Sequence, residues 1–145
     1  MIEGLIVNRL NIIGVDGGDV LHAMKSYDRG YDGFGEAYFS TIESGIIKGW
    51  KRHRDMVLNL VVPIGTVRFV TFDDRIESLT RGNFHEIILS RRNYSRLTVP
   101  PMVWTAFQGG EESVSMLLNI ANIPHDPAEI DRKELDEIDF DWRVN

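Results

Sequence analysis

VLNLVVPIGTVRFVTF, residues 57 to 72, is the stretch of sequence that decides the fold. It contains two runs rich in Val, Leu, Phe and Thr, and most of these residues are favoured in pleated, half-buried strands. Between the runs, Val62-Pro63-Ile64-Gly65 has proline at its second position and glycine at its fourth, which suits a type I turn. The pattern therefore predicts two short strands that are separated by a tight turn.

Similar short runs continue on both sides of this stretch. They cover residues 2–13, 20–24, 36–42, 45–50, 85–90, 96–99 and 113–122. No helix-length pattern separates them, so we expect an all-β fold, an antiparallel sandwich or barrel. Near the end, Asp126-Pro127-Ala128-Glu129 has the cap and the proline of a helix start, and it predicts a short C-terminal helix through about Lys133. The acidic and apolar tail, residues 135–142, is expected to lie across the barrel.

Length and composition limit the classes of protein that the chain can belong to. Its 145 residues are enough for one domain, residues 1–145, and 43% of them are apolar. With 16 basic and 22 acidic residues the net charge is −6, which argues against a nucleic-acid or anionic-membrane partner. The chain has no cysteine, and it shows neither a signal peptide pattern nor an apolar run of membrane-spanning length. We therefore expect a cytoplasmic protein.

The segment from Gly45 to Arg54 changes from apolar to cationic within a few residues. Its charged side chains are Lys48, Lys51, Arg52, His53 and Arg54. Side chains two apart in a strand share a face, so Lys51 and His53 are predicted to point the same way, opposite to Trp50 and Arg52. A lysine and a histidine inside a barrel would bind anions and move a proton. The alternative is a solvated edge strand whose charges face water.

Three further residues are candidates for ligand contact. Asn59 lies in the apolar run VLNLVV, and a buried amide needs partners. Arg68 interrupts TVRFVTF in the same way, and Trp104 offers a flat face on which a sugar or base could stack. Each of the three also has a simpler interpretation as a structural or core residue.

Three segments of the chain carry a resemblance to a known family. Gly45-Ile-Ile-Lys-Gly-Trp-Lys-Arg-His53 is similar to the family segment G-V-(L/I)-(R/K)-G-x-H, and Leu97-Thr-Val-Pro-Pro-Met-Val-Trp104 is similar to (I/V)-P-P-G-x-(A/W). Residues 127–142 resemble the acidic tail of family members. The family is that of the cupin dTDP-4-dehydrorhamnose 3,5-epimerases and their relatives, the dTDP-sugar 3,4-ketoisomerases. The resemblance, from about Asp16 to Trp142, implies a cupin jelly roll, an antiparallel double-stranded β-helix.

The chain departs from the epimerase pattern at the positions that carry the chemistry. The catalytic histidine of the family corresponds to Lys51, and a further histidine corresponds to Thr105. The tyrosine acid of the epimerases falls near Asn119. In the ketoisomerases two histidines are spaced H-x-H, and the second of them matches His53.

The resemblance implies an isomerase that needs no cofactor and binds a nucleotide-diphosphate sugar. Its expected chemistry is proton abstraction beside the ketone of a 4-keto-6-deoxyhexose, in cell-surface polysaccharide or deoxysugar biosynthesis. His53 is the expected base and Lys51 the expected oxyanion stabiliser. Repulsion from Lys48, Arg52 and Arg54 would lower the pKa of Lys51 and allow it to act as a base instead. The expected substrate-binding residues are Lys48, Arg52, Arg54, Asn59, Arg68, Trp104 and Asn119.

The sequence also allows an alternative function, argues against a metal site and predicts a homodimer. A cupin that binds a nucleotide sugar without turning it over is the alternative function, because the family's histidine and tyrosine are replaced. A metal cupin is not expected, since Lys51 and Thr105 occupy metal-ligand positions and leave only His53. We expect a homodimer, because residues 2–13 have strand character with few evident local partners, and the family pairs this region across a two-fold axis.

Overall fold

The computed structural model describes residues 1–143, and nearly all of its regular structure is β-strand. The twelve strands are β1 (Ile6–Arg9), β2 (Ile12–Ile13), β3 (Val20–Leu21), β4 (Glu36–Glu43), β5 (Ile47–His53), β6 (Leu58–Ile64), β7 (Thr66–Phe72), β8 (Phe84–Ser90), β9 (Ser95–Val99), β10 (Trp104–Gly109), β11 (Val114–Ala121) and β12 (Ile130–Lys133). Two single turns of 3₁₀ helix cover Pro127–Glu129 and Leu135–Glu137. No helix in this part of the chain is long or apolar enough to cross a membrane.

The strands form two five-stranded antiparallel sheets and one small ribbon. The first, called here the β4 sheet, has the order β1-β9-β6-β11-β4, and the second, the β5 sheet, has the order β12-β5-β10-β7-β8. Strands β2 and β3 pair with each other. Consecutive strands repeatedly change sheets, as in a jelly roll. The all-β, double-stranded β-helix predicted from the sequence is confirmed.

The core lies between the two sheets, where the inward side chains of each strand meet. Its buried members are Ile2, Leu5, Ile42, Met56, Leu58, Leu60, Val62, Val67, Phe69, Leu89, Leu97, Val99, Val103, Leu117 and Ala121. At about 25 cal/mol for each Å² of apolar surface removed from water, burial of this set is the main stabilising contribution to the fold.

The turn between β6 and β7 forms at a different residue from the one expected. Pro63 belongs to β6, beside an irregularity in the pairing of β6 with β11, where a missing amide is tolerated. The reversal takes place at Gly65, whose φ of +79° favours glycine. A Cβ there would approach Ser115 Oγ to 2.3 Å. The two strands are therefore as predicted, whereas the proline-centred type I turn is wrong.

The C-terminal segment forms a strand where a helix was expected. Asp126 does cap a turn, because its side chain accepts a hydrogen bond from the Ala128 amide at 2.9 Å. The helix ends after one turn, at Glu129, and β12 then pairs with β5 from Ile130 opposite His53 to Lys133 opposite Trp50. The expected helix through Lys133 is therefore wrong. The open edge of β5 offers these residues a complete ladder of hydrogen bonds, which overrides the local helix signal.

The tail lies across the outer face of the β5 sheet, as expected. Ile138 is buried there with Trp50 and Trp104, and Phe140 and Trp142 pack against the same cluster. The ring centroids of Trp50 and Trp142 are 5.9 Å apart. The tail thus shields the face of β5 that points away from the core.

The N-terminal strand has a partner within its own chain. β1 pairs with β9 over four residues, from Ile6 opposite Thr98 to Arg9 opposite Ser95, and Ile2 and Leu5 are buried in the core. The lack of local partners, one of the reasons for expecting a dimer, is therefore not found. The homodimer itself stays a prediction.

Candidate active site

A cavity of about 430 Å³ opens between the β4 sheet and the β5 sheet. This volume is in the range of about 300–1,000 Å³ that is usual for small-molecule sites. Its walls combine apolar side chains of both sheets with polar groups near the mouth. The lining residues are Tyr38, Ser40, Lys48, Gly49, Trp50, Lys51, His53, Leu58, Leu60, Phe69, Thr105, Phe107, Leu117, Asn119, Arg132, Lys133 and Glu134.

Strand β5 supplies the two residues that the sequence pattern favoured. Lys51 and His53 both line the cavity, the arrangement that strand alternation predicts. Arg52 lies on the other face, where its guanidinium stacks on the Trp104 ring at 4.6 Å. Trp50 is buried under the tail on that same face.

A β-bulge in β5 adds Lys48 to the same wall. Lys51 pairs with Thr105 and Lys48 with Phe107, so three steps along β5 match two steps along β10. The extra residue reverses the alternation, which otherwise would place Lys48 on the face of Trp50. The Lys48 ammonium donates a hydrogen bond to the Thr41 carbonyl at 2.8 Å and lies 5.8 Å from the centre of the Phe107 ring.

His53 is held by a carboxylate from the C-terminal segment. Its Nδ1 is hydrogen-bonded to Glu129 Oε1, and both side chains are buried. The other oxygen, Oε2, accepts hydrogen bonds from the backbone amides of Arg54 at 3.1 Å, Asp55 at 3.1 Å and Met56 at 3.3 Å. Because the ionised Glu129 carboxylate can only accept a hydrogen bond, the proton of the neutral imidazole lies on Nδ1. The lone pair of Nε2 is then available to a ligand.

The Glu129 carboxylate is ionised in this environment. Burial alone would raise the pKa of Glu129, but the hydrogen bond from His53 and those from the Asp55 and Met56 amides outweigh it and lower the pKa. An ionised partner fixes the orientation of the imidazole and stabilises the imidazolium that forms when His53 takes a proton.

The pKa of Lys51 is lowered by its position in the cavity. Burial of the ammonium by the surrounding walls is the largest cause, followed by repulsion from Arg132 and Lys48. The side chain is nonetheless open to solvent through the mouth of the cavity. Neither Lys51 nor Arg132 forms a salt bridge within residues 1–143. The cavity therefore presents cationic groups without carboxylate partners, a suitable environment for an anion.

The backbone of His53 is fixed by a strained residue. Met102 has φ +66°, a left-handed conformation that side-chain-bearing residues rarely adopt, and its amide donates a hydrogen bond to the His53 carbonyl at 2.7 Å. Met102 stands where the resembling family segment has glycine. Such strain is found where the surrounding structure holds a functional segment in place.

The opposite wall carries a tyrosine next to a buried amide. Tyr38 on β4 and Asn119 on β11 are paired across the sheet, and Asn119 Nδ2 donates a hydrogen bond to the Tyr38 hydroxyl at 2.9 Å. Asn119 Oδ1 and, on β10, Thr105 Oγ1 are buried without a hydrogen-bond partner among the described residues. Buried polar atoms are nearly always paired, so these two indicate that a polar ligand belongs in the cavity.

Two predicted ligand contacts, Arg52 in β5 and Arg54 just after it, lie outside the cavity. Arg52 donates to Asp131 at 2.8 Å and to Asp74 at 3.1 Å. Arg54 donates to Asp131 at 2.6 Å. Their charges are neutralised on the face away from the cavity, so they are not available to a ligand there. Arg132 rather than Arg52 or Arg54 acts with Lys48 to lower the pKa of Lys51.

Three other predicted contacts are also directed elsewhere. Asn59 lies on the outer side of β6, where it donates to the Gly30 carbonyl at 3.0 Å and accepts from Thr98 Oγ1 at 2.6 Å. Arg68 binds Glu86 and the Trp142 carbonyl. Trp104 is buried beneath the tail, with its Nε1 donating to Asp74 at 2.8 Å. The simpler, structural interpretation applies to all three.

Three residues of the cavity region were not among the predicted site residues. Glu129 and Arg132 come from a segment that the sequence placed in a helix, and Tyr38 comes from a strand with no other chemical signal. The spacing of Glu129 from His53, 76 residues, carries no local pattern. Within residues 1–143, no group of three His, Asp or Glu side chains is placed to hold a metal ion.

Comparison with known proteins identifies the family of the chain. A dTDP sugar isomerase from Desulfovibrio desulfuricans has a structure that matches 99% of this chain and 94% of its own length, with a TM-score of 0.95 and 34% sequence identity. The chain belongs to the family of dTDP-sugar isomerases and epimerases with the cupin fold. A dTDP-4-dehydrorhamnose 3,5-epimerase from Sulfolobus tokodaii shares the fold, with a TM-score of 0.84 and 21% identity over 95% of this chain and 81% of that one.

Two curated relatives of the family match by sequence. The probable low-salt glycan biosynthesis epimerase Agl13 of Haloferax volcanii is 25% identical over 100 residues, which are 68% of this chain and 64% of Agl13. The spore coat polysaccharide biosynthesis protein SpsL of Bacillus subtilis is 23% identical over 99% of this chain and 98% of its own. No protein-family model matches the chain.

Proposed function

We propose that this protein is an isomerase of nucleotide-diphosphate 4-keto-6-deoxyhexoses that works by proton abstraction next to the ketone, in polysaccharide or deoxysugar biosynthesis. The observation that carries the proposal is the His53–Glu129 pair beside a cavity lined by the Lys51 ammonium group, which forms no salt bridge within residues 1–143. Membership in the isomerase and epimerase family supports it, as do the similarities to Agl13, a probable glycan biosynthesis epimerase, and to SpsL, a spore coat polysaccharide biosynthesis protein.

His53 supplies the base. With Nδ1–H directed at Glu129, Nε2 takes the proton from the carbon next to the ketone, and the electrons of that C–H bond move into a new C=C bond. The carbonyl π electrons move to oxygen and form an enolate. Glu129 remains ionised and stabilises the imidazolium, so the pair is restored once His53 returns its proton.

Lys51 supplies the positive charge that the enolate oxygen needs. It shares a strand face with His53, and within residues 1–143 no carboxylate pairs with its ammonium group. Charge stabilisation of this kind acts where water is partly excluded, and the apolar walls formed by Leu60, Phe69 and Phe107 provide such a setting. We infer that Lys51 works as an ammonium, because His53 already occupies the role of base.

The diphosphate of the substrate belongs at the cationic mouth. Lys48 on β5 and Arg132 on the neighbouring β12 both line the cavity, and both side chains are exposed to solvent. A guanidinium group matches the spacing of phosphate oxygens, and a lysine adds a point charge. In a chain of net charge −6, this local excess of cations favours a nucleotide-diphosphate sugar as the ligand. A homodimer is part of the proposal and follows from the family.

Deuterium exchange in D₂O tests the proposal. A nucleotide-linked 4-keto-6-deoxyhexose is incubated with the protein, and exchange of the protons next to the ketone is followed by NMR. We expect rapid exchange that His53→Asn lowers by about 10²–10⁴-fold while affinity for the nucleoside diphosphate stays nearly constant. The exposed His125 provides the control, since His125→Asn should behave like the unaltered protein. Binding without any exchange would show a non-catalytic sugar-nucleotide cupin instead.

A further inference from the structure

We infer that a second cavity, on the outer face of the β4 sheet, is a binding site for a phosphate group. The cavity, called here the Arg96 cavity, has a volume of about 190 Å³, and residues of β1, of β9 and of the segment 22–29 line it. Leu97 and Val99 of β9 belong to the core, so alternation directs Arg96 to the opposite face of the sheet. The inference is independent of the proposed function, because the two cavities have no lining residue in common.

An unused donor of the Arg96 guanidinium is the first argument. The Arg96 side chain lines the cavity and is completely buried. Its Nη1 donates to the Ala23 carbonyl at 2.7 Å and to Asp28 Oδ2 at 3.1 Å, and its Nη2 donates to the Arg29 carbonyl at 3.0 Å. A guanidinium group has five N–H donors, and Nε has no hydrogen-bond partner among residues 1–143. Buried polar groups are nearly always paired, so this donor indicates an acceptor that a ligand supplies.

The charge around this donor is the second argument. Of the described residues that line the cavity, one carries a carboxylate, Asp28, and four are cationic: Arg9, Lys25, Arg29 and Arg96. The first three of these cations are exposed, and they form no salt bridge within residues 1–143. Positive charge is therefore in excess, and a doubly charged anion matches it better than a singly charged carboxylate.

The size of the cavity limits the ligand further. Its volume is less than half of the 430 Å³ of the candidate active site, and it lies below the range of about 300–1,000 Å³ that is usual for small-molecule sites. A phosphate group has a charge of about −2 and several acceptor oxygens. Guanidinium groups match the spacing of these oxygens, and a lysine adds a point charge. The ligand is therefore inorganic phosphate or the phosphate group of a small phosphorylated molecule, not a whole nucleotide sugar.

Calorimetric titration with inorganic phosphate, in a buffer without phosphate, tests the inference. We expect saturable binding by the unaltered protein. Arg9→Gln and Lys25→Gln, at exposed positions, should each weaken it about tenfold, because a charged donor is lost. Arg92→Gln is the matched control, since it removes the same charge from an exposed residue outside the cavity and should leave the affinity unchanged.

A spectroscopic readout locates the bound phosphate. The Arg96 Nε–H signal of ¹⁵N-labelled protein should shift during the titration, because this donor gains its acceptor. Arg132→Gln removes a cation from the candidate active site, and there both the shift and the affinity should stay as in the unaltered protein.

A second ligand identifies the source of the phosphate group. A hexose 1-phosphate that binds more tightly than inorganic phosphate assigns the cavity to a phosphorylated sugar. Equal or weaker binding assigns it to the free ion. Acetate, which is singly charged, should bind at least about tenfold more weakly than either.

Four outcomes would overturn the inference. One is the absence of saturable binding by the unaltered protein up to about 10 mM phosphate. Another is equal weakening by Arg9→Gln and Arg92→Gln, which would indicate attraction to the general surface charge. The third is binding that Arg132→Gln abolishes without a shift of the Arg96 signal, which would place the phosphate in the candidate active site. The fourth is acetate that binds as tightly as phosphate. None of these outcomes alters the deuterium-exchange test of the proposed function.

Discussion

Lys51 is the residue whose chemistry depends most on its neighbours. Burial and the charges of Arg132 and Lys48 lower its pKa, so the ammonium loses its proton at a lower pH than an ordinary lysine, whose value is 10.5. The direction of this change in the pKa of Lys51 is important for function. If Lys51 stabilises an enolate, the active form is the protonated one, and activity falls as the pH rises through the lowered pKa.

Substitution of Lys51 distinguishes a stabiliser from a base. Lys51→Arg keeps a positive charge and should retain a measurable fraction of kcat/KM, whereas Lys51→Met should lose about 10²–10³-fold. The decline at high pH should appear below pH 10.5 in the unaltered protein and be absent in Lys51→Arg, because arginine stays charged. The measurement is turnover of one keto-sugar nucleotide from pH 6 to 10.

Two results would contradict this role of Lys51. Equal loss of activity in Lys51→Arg and Lys51→Met indicates that the neutral amine is required, and hence that Lys51 is a base. Full activity in both variants indicates that Lys51 takes no part in the chemistry.

At the scale of elements, β12 and the turn before it complete the site. The 3₁₀ turn ends at Glu129, which reaches His53, and β12 places Arg132 opposite Lys51. Asp131 holds Arg52 and Arg54 on the far face and fastens β12 to β5. The pKa of Asp131 is lowered by hydrogen bonds from these two arginines. Residues 127–133 thus supply both the carboxylate of Glu129, which pairs with His53, and the cation of Arg132, which lines the cavity.

Glu129→Gln tests the contribution of this segment to catalysis. Glutamine has the same shape, but its NH₂ group can donate to His53 Nδ1 and place the imidazole proton on Nε2, where a base needs its lone pair. We expect kcat to fall by about 10²–10⁴-fold with little change in KM. A variant with unchanged kcat would show that Glu129 only supports the fold.

The same substitution has a predicted pH signature in stability. Folding lowers the pKa of Glu129 below its ordinary value of 4.5, so the carboxylate stabilises the folded state above that pH. This stabilisation is lost as the pH falls through the folded pKa. Denaturant unfolding from pH 7 to 3 should therefore show a smaller loss of stability at acid pH for Glu129→Gln. A parallel decline in both proteins would contradict it.

For the whole molecule, the most notable surface is the outer face of the β4 sheet along β4 and β11. Alternation places apolar side chains there, since their neighbours in the strands point into the core. The apolar residues on this face are Phe39, Val114, Met116, Leu118 and Ile120, of which Phe39 is 63% exposed. An apolar face of this kind is typical of a surface covered by another molecule. We expect a second copy of the chain to cover it.

Light scattering at micromolar concentration tests this expectation. The unaltered protein should have about twice the 16.6 kDa mass of one chain. Phe39→Lys places a charge in the apolar face and should shift the mass toward that of a monomer, whereas Tyr27→Lys, at an exposed position elsewhere, should not. A monomeric unaltered protein would contradict the homodimer, and a dimeric Phe39→Lys would place the interface on another surface.

Local patterns were sufficient for the architecture and for one strand of the site. The short β-rich runs determined an antiparallel all-β fold, because alternation and turn residues act over a few neighbouring positions. Lys51 and His53 share the cavity face for the same reason. The family segments around Lys48 and Pro101 identify the jelly roll from the sequence alone.

Only the tertiary structure decided which other side chains meet at His53. The bulge in β5 brings Lys48 to the cavity. The alternation of apolar and polar residues in the sequence does not predict where such a bulge occurs. The pairing of β12 with β5 replaces the predicted helix and brings Glu129 to His53, and the pairing of β4 with β11 brings Tyr38 to Asn119. Strand pairing joins residues far apart in the chain, so its partners depend on the whole fold rather than on local propensity.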